Sequence, residues 1–172
     1  MDIREKILEI REGRNFAEFQ TYFSNNPKEV KKLVQIITNQ EPYPLEEYAS
    51  WILVHLCKTQ QAQVQPYYND IVDAAFLSEN QSVMRNTINI IYHLDITEYR
   101  ESDFIDLLIG FIQSYQNKVA VQVYSMFVLI NFIKKHPELK PEIMEIIDLH
   151  ADGKSAAYAS ARRKFIKKMR VF

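Results

Sequence analysis

Apolar residues recur three and four positions apart along almost the whole chain, the spacing that gathers side chains onto one face of a helix. Polar and charged residues fill the complementary positions. This rhythm predicts helices over roughly 2–12, 15–24, 27–39, 45–58, 64–78, 81–95, 101–115, 117–136, 138–150 and 154–170. Pro27, Pro44, Pro66 and Pro141 each stand at or near the start of an apolar-periodic run, where the first-turn N–H groups have no intrahelical partner to lose. Pro137 follows Lys134-Lys135-His136, a cationic last turn suited to the negative end of a helix dipole. The predicted connections are mostly about two to six residues long, which makes sequential helices antiparallel neighbours.

A longer period lies over the helical one. Ile52-Leu53-Val54-His55-Leu56 is followed 38 residues on by Ile90-Ile91-Tyr92-His93-Leu94, and 38 further by Val128-Leu129-Ile130-Asn131-Phe132. The intervening helices carry a parallel series, Leu33-Val34, Ile71-Val72, Leu107-Leu108 and Ile146-Ile147, spaced 38, 36 and 39. Each unit is then one helix pair, with helices of the 45–58 kind termed A and of the 64–78 kind termed B. A single pair cannot bury both its apolar faces, whereas stacked pairs share a continuous core. The stretches 50–57 and 126–133 are apolar nearly all round, as befits helices held between neighbours. The expectation is an all-α chain, one repeat domain over 1–172. Its architecture would be a right-handed α–α superhelix of four to five antiparallel helix pairs.

Composition narrows the function classes. With 47% hydrophobic and 25% charged residues the chain reads as soluble and globular. Three glycines are few for a β-sandwich or a phosphate-cradling loop. A net charge of −1 gives no global attraction to nucleic acid or anionic membrane. The single cysteine, Cys57, excludes an internal disulfide and a cysteine-cluster zinc site. The N-terminus lacks an apolar signal core, and no apolar run approaches the ~20 residues of a membrane span. The expected location is cytoplasmic, with no cofactor and no membrane association; the oligomeric state is not set by the sequence.

Several stretches resemble a known group. Ala49-Ser50-Trp51, Arg85-Asn86, Ala120-Val121-Gln122-Val123-Tyr124-Ser125-Met126, His136-Pro137-Glu138-Leu139 and the segment from Arg162 to Lys168 are similar to small bacterial HEAT-like helical repeat proteins. The resemblance covers roughly residues 45–168 and implies an α–α superhelix rather than a specific chemistry. Some proteins of this look carry an adenylosuccinate lyase name. The present chain is far shorter than such lyases and lacks their serine-rich loop. HEAT-like DNA alkylation-repair glycosylases resemble it more distantly, by architecture alone.

Charge patterning supplies the candidate surfaces. Asp70 and Asp73, Asp103 and Asp106, and Glu142, Glu145 and Asp148 are spaced three apart on successive B helices, so each set shares a helical face. Stacked, these acids would make a groove for a basic peptide or protein; singly, they would be an ordinary solvated face. Arg162, Arg163, Lys164, Lys167, Lys168 and Arg170 are six cations in nine residues with no acid among them, around an apolar stripe of Tyr158, Ala161, Phe165 and Met169. That helix reads as a patch for phosphate or an acidic partner, or as the polar cap of a solenoid end.

Other residues invite chemistry less directly. His55, His93 and Asn131 share a repeat position and predict a hydrogen-bonded interior row rather than a metal pair. Trp51 suggests a stacking platform or plain packing. Cys57 reads as a buried inert thiol, and Arg85 as half of an ion pair with an acid of helix 64–78 or with Glu79. No nucleophile triad and no metal-ligand motif is present. The preferred reading is a non-enzymatic interaction module with a protein partner. The alternative is nucleic-acid binding in the manner of the alkylation-repair enzymes, which the acidic B helices disfavour.

Overall fold

A computed structural model describes residues 2–13 and 16–171. Among these residues it contains ten α-helices and no strand. The chain divides into two compact units, Met1–Asp95 and Ile96–Phe172.

The first unit holds α1 (Ile3–Arg11), α2 (Phe16–Asn25), α3 (Glu29–Thr38), α4 (Leu45–Val64), α5 (Tyr68–Leu77) and α6 (Gln81–Tyr92). Helix α3 packs along α4 and α5 along α6, and the two pairs stack with α4 on α6 and α3 on α5. Helix α1 closes over α3 and α4 through the buried Ile3 and Ile7. The second unit repeats the plan with α7 (Glu101–Gln113), α8 (Val119–Lys135), α9 (Lys140–Leu149) and α10 (Ala156–Met169). Here α7 packs along α8 and α9 meets α10, while α8 stacks on α10 and α7 on α9.

Burial follows the predicted period. Leu53, Ile91 and Leu129 are all fully buried, as are Ile52, Ile90 and Val128. Each contributes roughly 1.5–3 kcal/mol relative to leaving it exposed. In α10 the series continues with a shorter step: Phe165, 36 residues after Leu129, is again fully buried. Among the B helices Val34, Val72, Leu108 and Ile147 are buried throughout. Their partners Leu107 and Ile146 are only half-buried.

Side-chain caps start three helices among the described residues. Asp2 accepts from the Arg4 N–H at α1, Asn80 from the Ser82 and Val83 N–H groups at α6, and Ser155 from the Tyr158 N–H at α10. Each side chain satisfies a donor that the first turn leaves without a partner. Gly13 and Gly153 take the left-handed conformation, with φ of 84° and 72°, which a Cβ would penalise.

The sharpest difference from expectation lies in the middle of the first unit. Helix α4 does not stop near residue 58 but runs on to Val64, with one non-helical residue, Gln60 (φ −142°, ψ 45°). Thr59-Gln60-Gln61-Ala62-Gln63 contains neither glycine nor proline, so nothing local ends the helix there. Pro66 instead sits in a single 3-10 turn, Gln65–Tyr67, and α5 begins only at Tyr68. Pro137 does the same before α9, within the turn Pro137–Leu139. The first residue of the predicted helix 15–24 lies outside the described residues.

The junction of α4 and α5 is fastened by a side chain. The Gln65 amide donates from Nε2 to the Asp95 carbonyl (2.9 Å), and its Oε1 accepts from the Asp95 N–H (2.8 Å). A side-chain amide thereby pairs with both polar groups of a residue beyond the end of α6.

Candidate functional site

The predicted acids fall into separate settings. On α5, Asp70 is exposed and Asp73 half-buried. In the second unit, Asp103 and Asp106 on α7 and Glu142 and Glu145 on α9 are all exposed, and these two helices are neighbours. Asp103 stands 3.9 Å from Arg100 Nε. Asp106, Glu142 and Glu145 form no ion pair among the described residues. Asp148 is spoken for: its Oδ1 accepts from Arg162 Nε at 2.7 Å.

Asp106 lines a cavity of about 360 Å³ together with Glu101, Ser102, Ile105, His136, Glu138 and Leu139. Glu101 opens α7, where the helix dipole favours a carboxylate. Lys135 and His136, at the end of α8, both hydrogen-bond to it, and Glu138 stands 3.5 Å from the other His136 nitrogen. Burial pushes the Glu101 carboxyl up. The hydrogen bonds and charges of Lys135 and His136 outweigh that and hold it below the ordinary glutamate range. The cavity thus combines three acids with two aliphatic side chains. Of these residues helical charge spacing singles out Asp106 alone, while His136, Glu138 and Leu139 stand out in the chain only for their resemblance to the repeat proteins. The 34 and 35 residues that separate Glu101 from Lys135 and His136 approach one repeat length, the only trace of the pairing in the chain.

The cationic helix is built as its stripe predicts. Tyr158, Ala161, Phe165 and Met169 are buried, and the Tyr158 hydroxyl donates to the Ile147 carbonyl at 3.1 Å. Burial drives that phenol up to about 12. Arg162 is half-buried on Asp148 and belongs to the packing, whereas Arg163, Lys164, Lys167, Lys168 and Arg170 are exposed. The predicted patch therefore keeps five of its six cations on the surface.

The row of His55, His93 and Asn131 is not interior. All three residues are half-buried. The His55 ring meets Trp51 edge-on at 4.4 Å between centroids, and His93 meets Tyr92 at 5.2 Å. Burial first, and then the Lys58 ammonium, hold both imidazoles below the usual histidine range. These positions sit where the A-helix surface curves from core to solvent, so the shared period survives but the depth does not. Among the described residues no group of three or more histidine, cysteine, aspartate or glutamate side chains could hold a metal ion. Cys57 is buried, and burial drives its thiol up to about 12.

Arg85 departs furthest from its expected role. Rather than pairing with an acid of helix 64–78 or with Glu79, its Nε and Nη2 donate to Asn86 Oδ1 at 3.2 and 3.1 Å. Asn86 in turn donates from Nδ2 to Ser50 Oγ at 2.9 Å, and Ser50 donates to the Glu47 carbonyl at 2.8 Å. Arg85 lines a second cavity of about 360 Å³ in the first unit, with Glu47, Tyr48, Trp51, Ser82 and Asn86, and with Tyr43 at the rim. Glu47 and Trp51 share a face of α4, and Ser82, Arg85 and Asn86 share a face of α6. Glu47 and Arg85 stand 38 residues apart, at the same place in successive units. That shared place was the available signal for this cavity.

Among the described residues no helix is long and apolar enough to cross a membrane. No curated protein matches the chain, and no solved structure matches it. A family model for the HEAT repeat domain matches residues 3–169, nearly the full chain. The stacked helix pairs and the match agree, and the chain belongs to the HEAT repeat family.

Proposed function

We propose that the chain is a non-enzymatic interaction module whose second unit receives a basic segment of a protein partner on the face formed by α7 and α9. HEAT repeats commonly serve as protein-interaction scaffolds. The observation that carries the reading is that Asp106, exposed and without an ion-pair partner among the described residues, lines the cavity with Ile105 and Leu139, while Glu142 and Glu145 stand equally exposed and unpaired on the neighbouring helix α9. A lysine or arginine side chain suits such a place because its aliphatic stem packs on apolar carbon while its head meets carboxylates. Complementary charge also speeds encounter and rejects acidic competitors.

The test is a titration of a labelled peptide rich in lysine and arginine, read by fluorescence anisotropy. Wild type binds it, and affinity falls as salt rises. The triple variant Asp106→Lys/Glu142→Lys/Glu145→Lys binds at least about ten-fold more weakly, a loss of ~1.4 kcal/mol. Equal binding by the two proteins removes the acidic face from the account. Nucleic-acid binding is the second reading, and the exposed Arg163, Lys164, Lys167 and Lys168 of α10 favour it. Tight binding of duplex DNA by wild type, with log affinity falling by about 0.9 for each neutralised phosphate per tenfold rise in salt, would establish that reading instead.

A further inference from the structure

The cavity between α4 and α6 holds an arginine whose charge no side chain neutralises. Arg85 is half-buried, and a cation partly shielded from water attracts an anion more strongly than one on the open surface. Among the described residues its polar contacts are the two bonds to the neutral Asn86 amide. Glu47 lines the same cavity, yet its Oε1 accepts from Asn80 Nδ2 at 2.8 Å, at the cap of α6. The two charges share a cavity without forming an ion pair.

The arginine is also held in place. Ser50 Oγ donates to the Glu47 carbonyl, so it accepts from Asn86 Nδ2, and this fixes the Asn86 oxygen toward Arg85. Ser50 is fully buried and Asn86 is 4% exposed. Two of the five guanidinium donors are used in this way. The other three have no partner among the described residues, and a planar fork of such donors matches a carboxylate.

The remaining wall is aromatic. Trp51 meets His55 along one side and lines the cavity together with Tyr48, while Tyr43, 62% exposed, stands at the mouth. Flat rings beside a cation donor suit a ligand with a planar body and an anionic end. The volume, about 360 Å³, lies near the lower end of the ~300–1,000 Å³ typical of small-molecule sites. Glu47 decides between anions. A phosphate, at roughly −1.5 to −2, would face that carboxylate across the cavity, whereas a carboxylate brings a single charge that Arg85 cancels.

We infer that this cavity binds a small aromatic monocarboxylate, its carboxylate on the Arg85 guanidinium and its ring against Trp51 and Tyr48. The site lies in the first unit and is independent of the acidic face on α7 and α9.

Trp51 is the only tryptophan in the chain, so its fluorescence reports on the cavity directly. The probe is phenylacetate, compared with phenylacetamide, phenyl phosphate and acetate. Phenylacetate produces a saturable change in emission, with an affinity at least about ten-fold tighter than each of the other three. Arg85→Gln weakens phenylacetate at least about ten-fold and brings it level with the amide, while circular dichroism shows the variant still folded. Arg85→Lys, which keeps the charge but loses the fork, falls between the two. It serves as the second variant should the glutamine protein fold poorly. No saturable change up to about 10 mM, where binding would be weaker than ~3 kcal/mol, overturns the inference. Equal binding of acid and amide, or unchanged binding by both Arg85 variants, overturns it as well.

Discussion

Asn86 shows how one buried polar side chain can organise its surroundings. It receives two bonds from Arg85 and gives one to Ser50, so Asn86→Ala strips partners from a buried hydroxyl and from a half-buried guanidinium. A loss of roughly 1–3 kcal/mol follows from leaving such groups unsatisfied, measurable by urea denaturation. Asn86→Asp separates the two contacts, because its carboxylate still accepts from Arg85 but cannot donate to Ser50 Oγ. Cys57 makes a chemical prediction at the same scale. With its thiol driven up to about 12 and its side chain buried, it should resist alkylation by iodoacetamide at mildly alkaline pH and react fully once urea unfolds the chain.

At the scale of elements, the start of α7 depends on ionised Glu101. Its carboxyl is held below the ordinary glutamate range in the folded state, so the unfolded chain binds the proton more readily. The stabilisation is complete above the unfolded glutamate range and is lost as pH falls through the lower folded value. Acid unfolding monitored by circular dichroism should therefore show a smaller stability loss below about pH 4.5 for Glu101→Gln than for wild type. His55 and His93 act on α4 and α6 with the same sign at higher pH. Their imidazoles are held low in the folded state, so protonation of the unfolded chain near pH ~6.5 begins to cost stability. Which helices exist was legible in the chain, because apolar spacing and the proline starts are local signals. Where α4 ends was not. The continuation through Thr59–Val64 and the break at Gln60 have no breaker residue to announce them, and a proline suits the first turn of a 3-10 or an α-helix alike. The partner of Arg85 was hidden for a related reason. Its environment depends on how far α6 is displaced along α4, and that offset is a property of two helices together.

For the chain as a whole, the 38-residue period is the physical statement that matters most. Leu53, Ile91 and Leu129 occupy equivalent, fully buried places, so truncation of each to alanine should cost a similar ~2–5 kcal/mol. Urea unfolding of the three variants checks this, and a cost under about 1 kcal/mol at any one of them would break the equivalence. The candidate surfaces were legible only in part. The acids of α7 and α9 and the cations of α10 are exposed where helical spacing puts them. The two cavities needed the third dimension, since each draws its lining from residues about one period apart. Gln65 carries a last consequence. By lending its amide to Asp95, it gives that peptide the shelter of a secondary-structure ladder at a point where α6 has already ended. The Asp95 amide hydrogen should therefore exchange with solvent deuterium far more slowly than its neighbours in the turn, and Gln65→Ala should erase that protection while sparing the helix interiors.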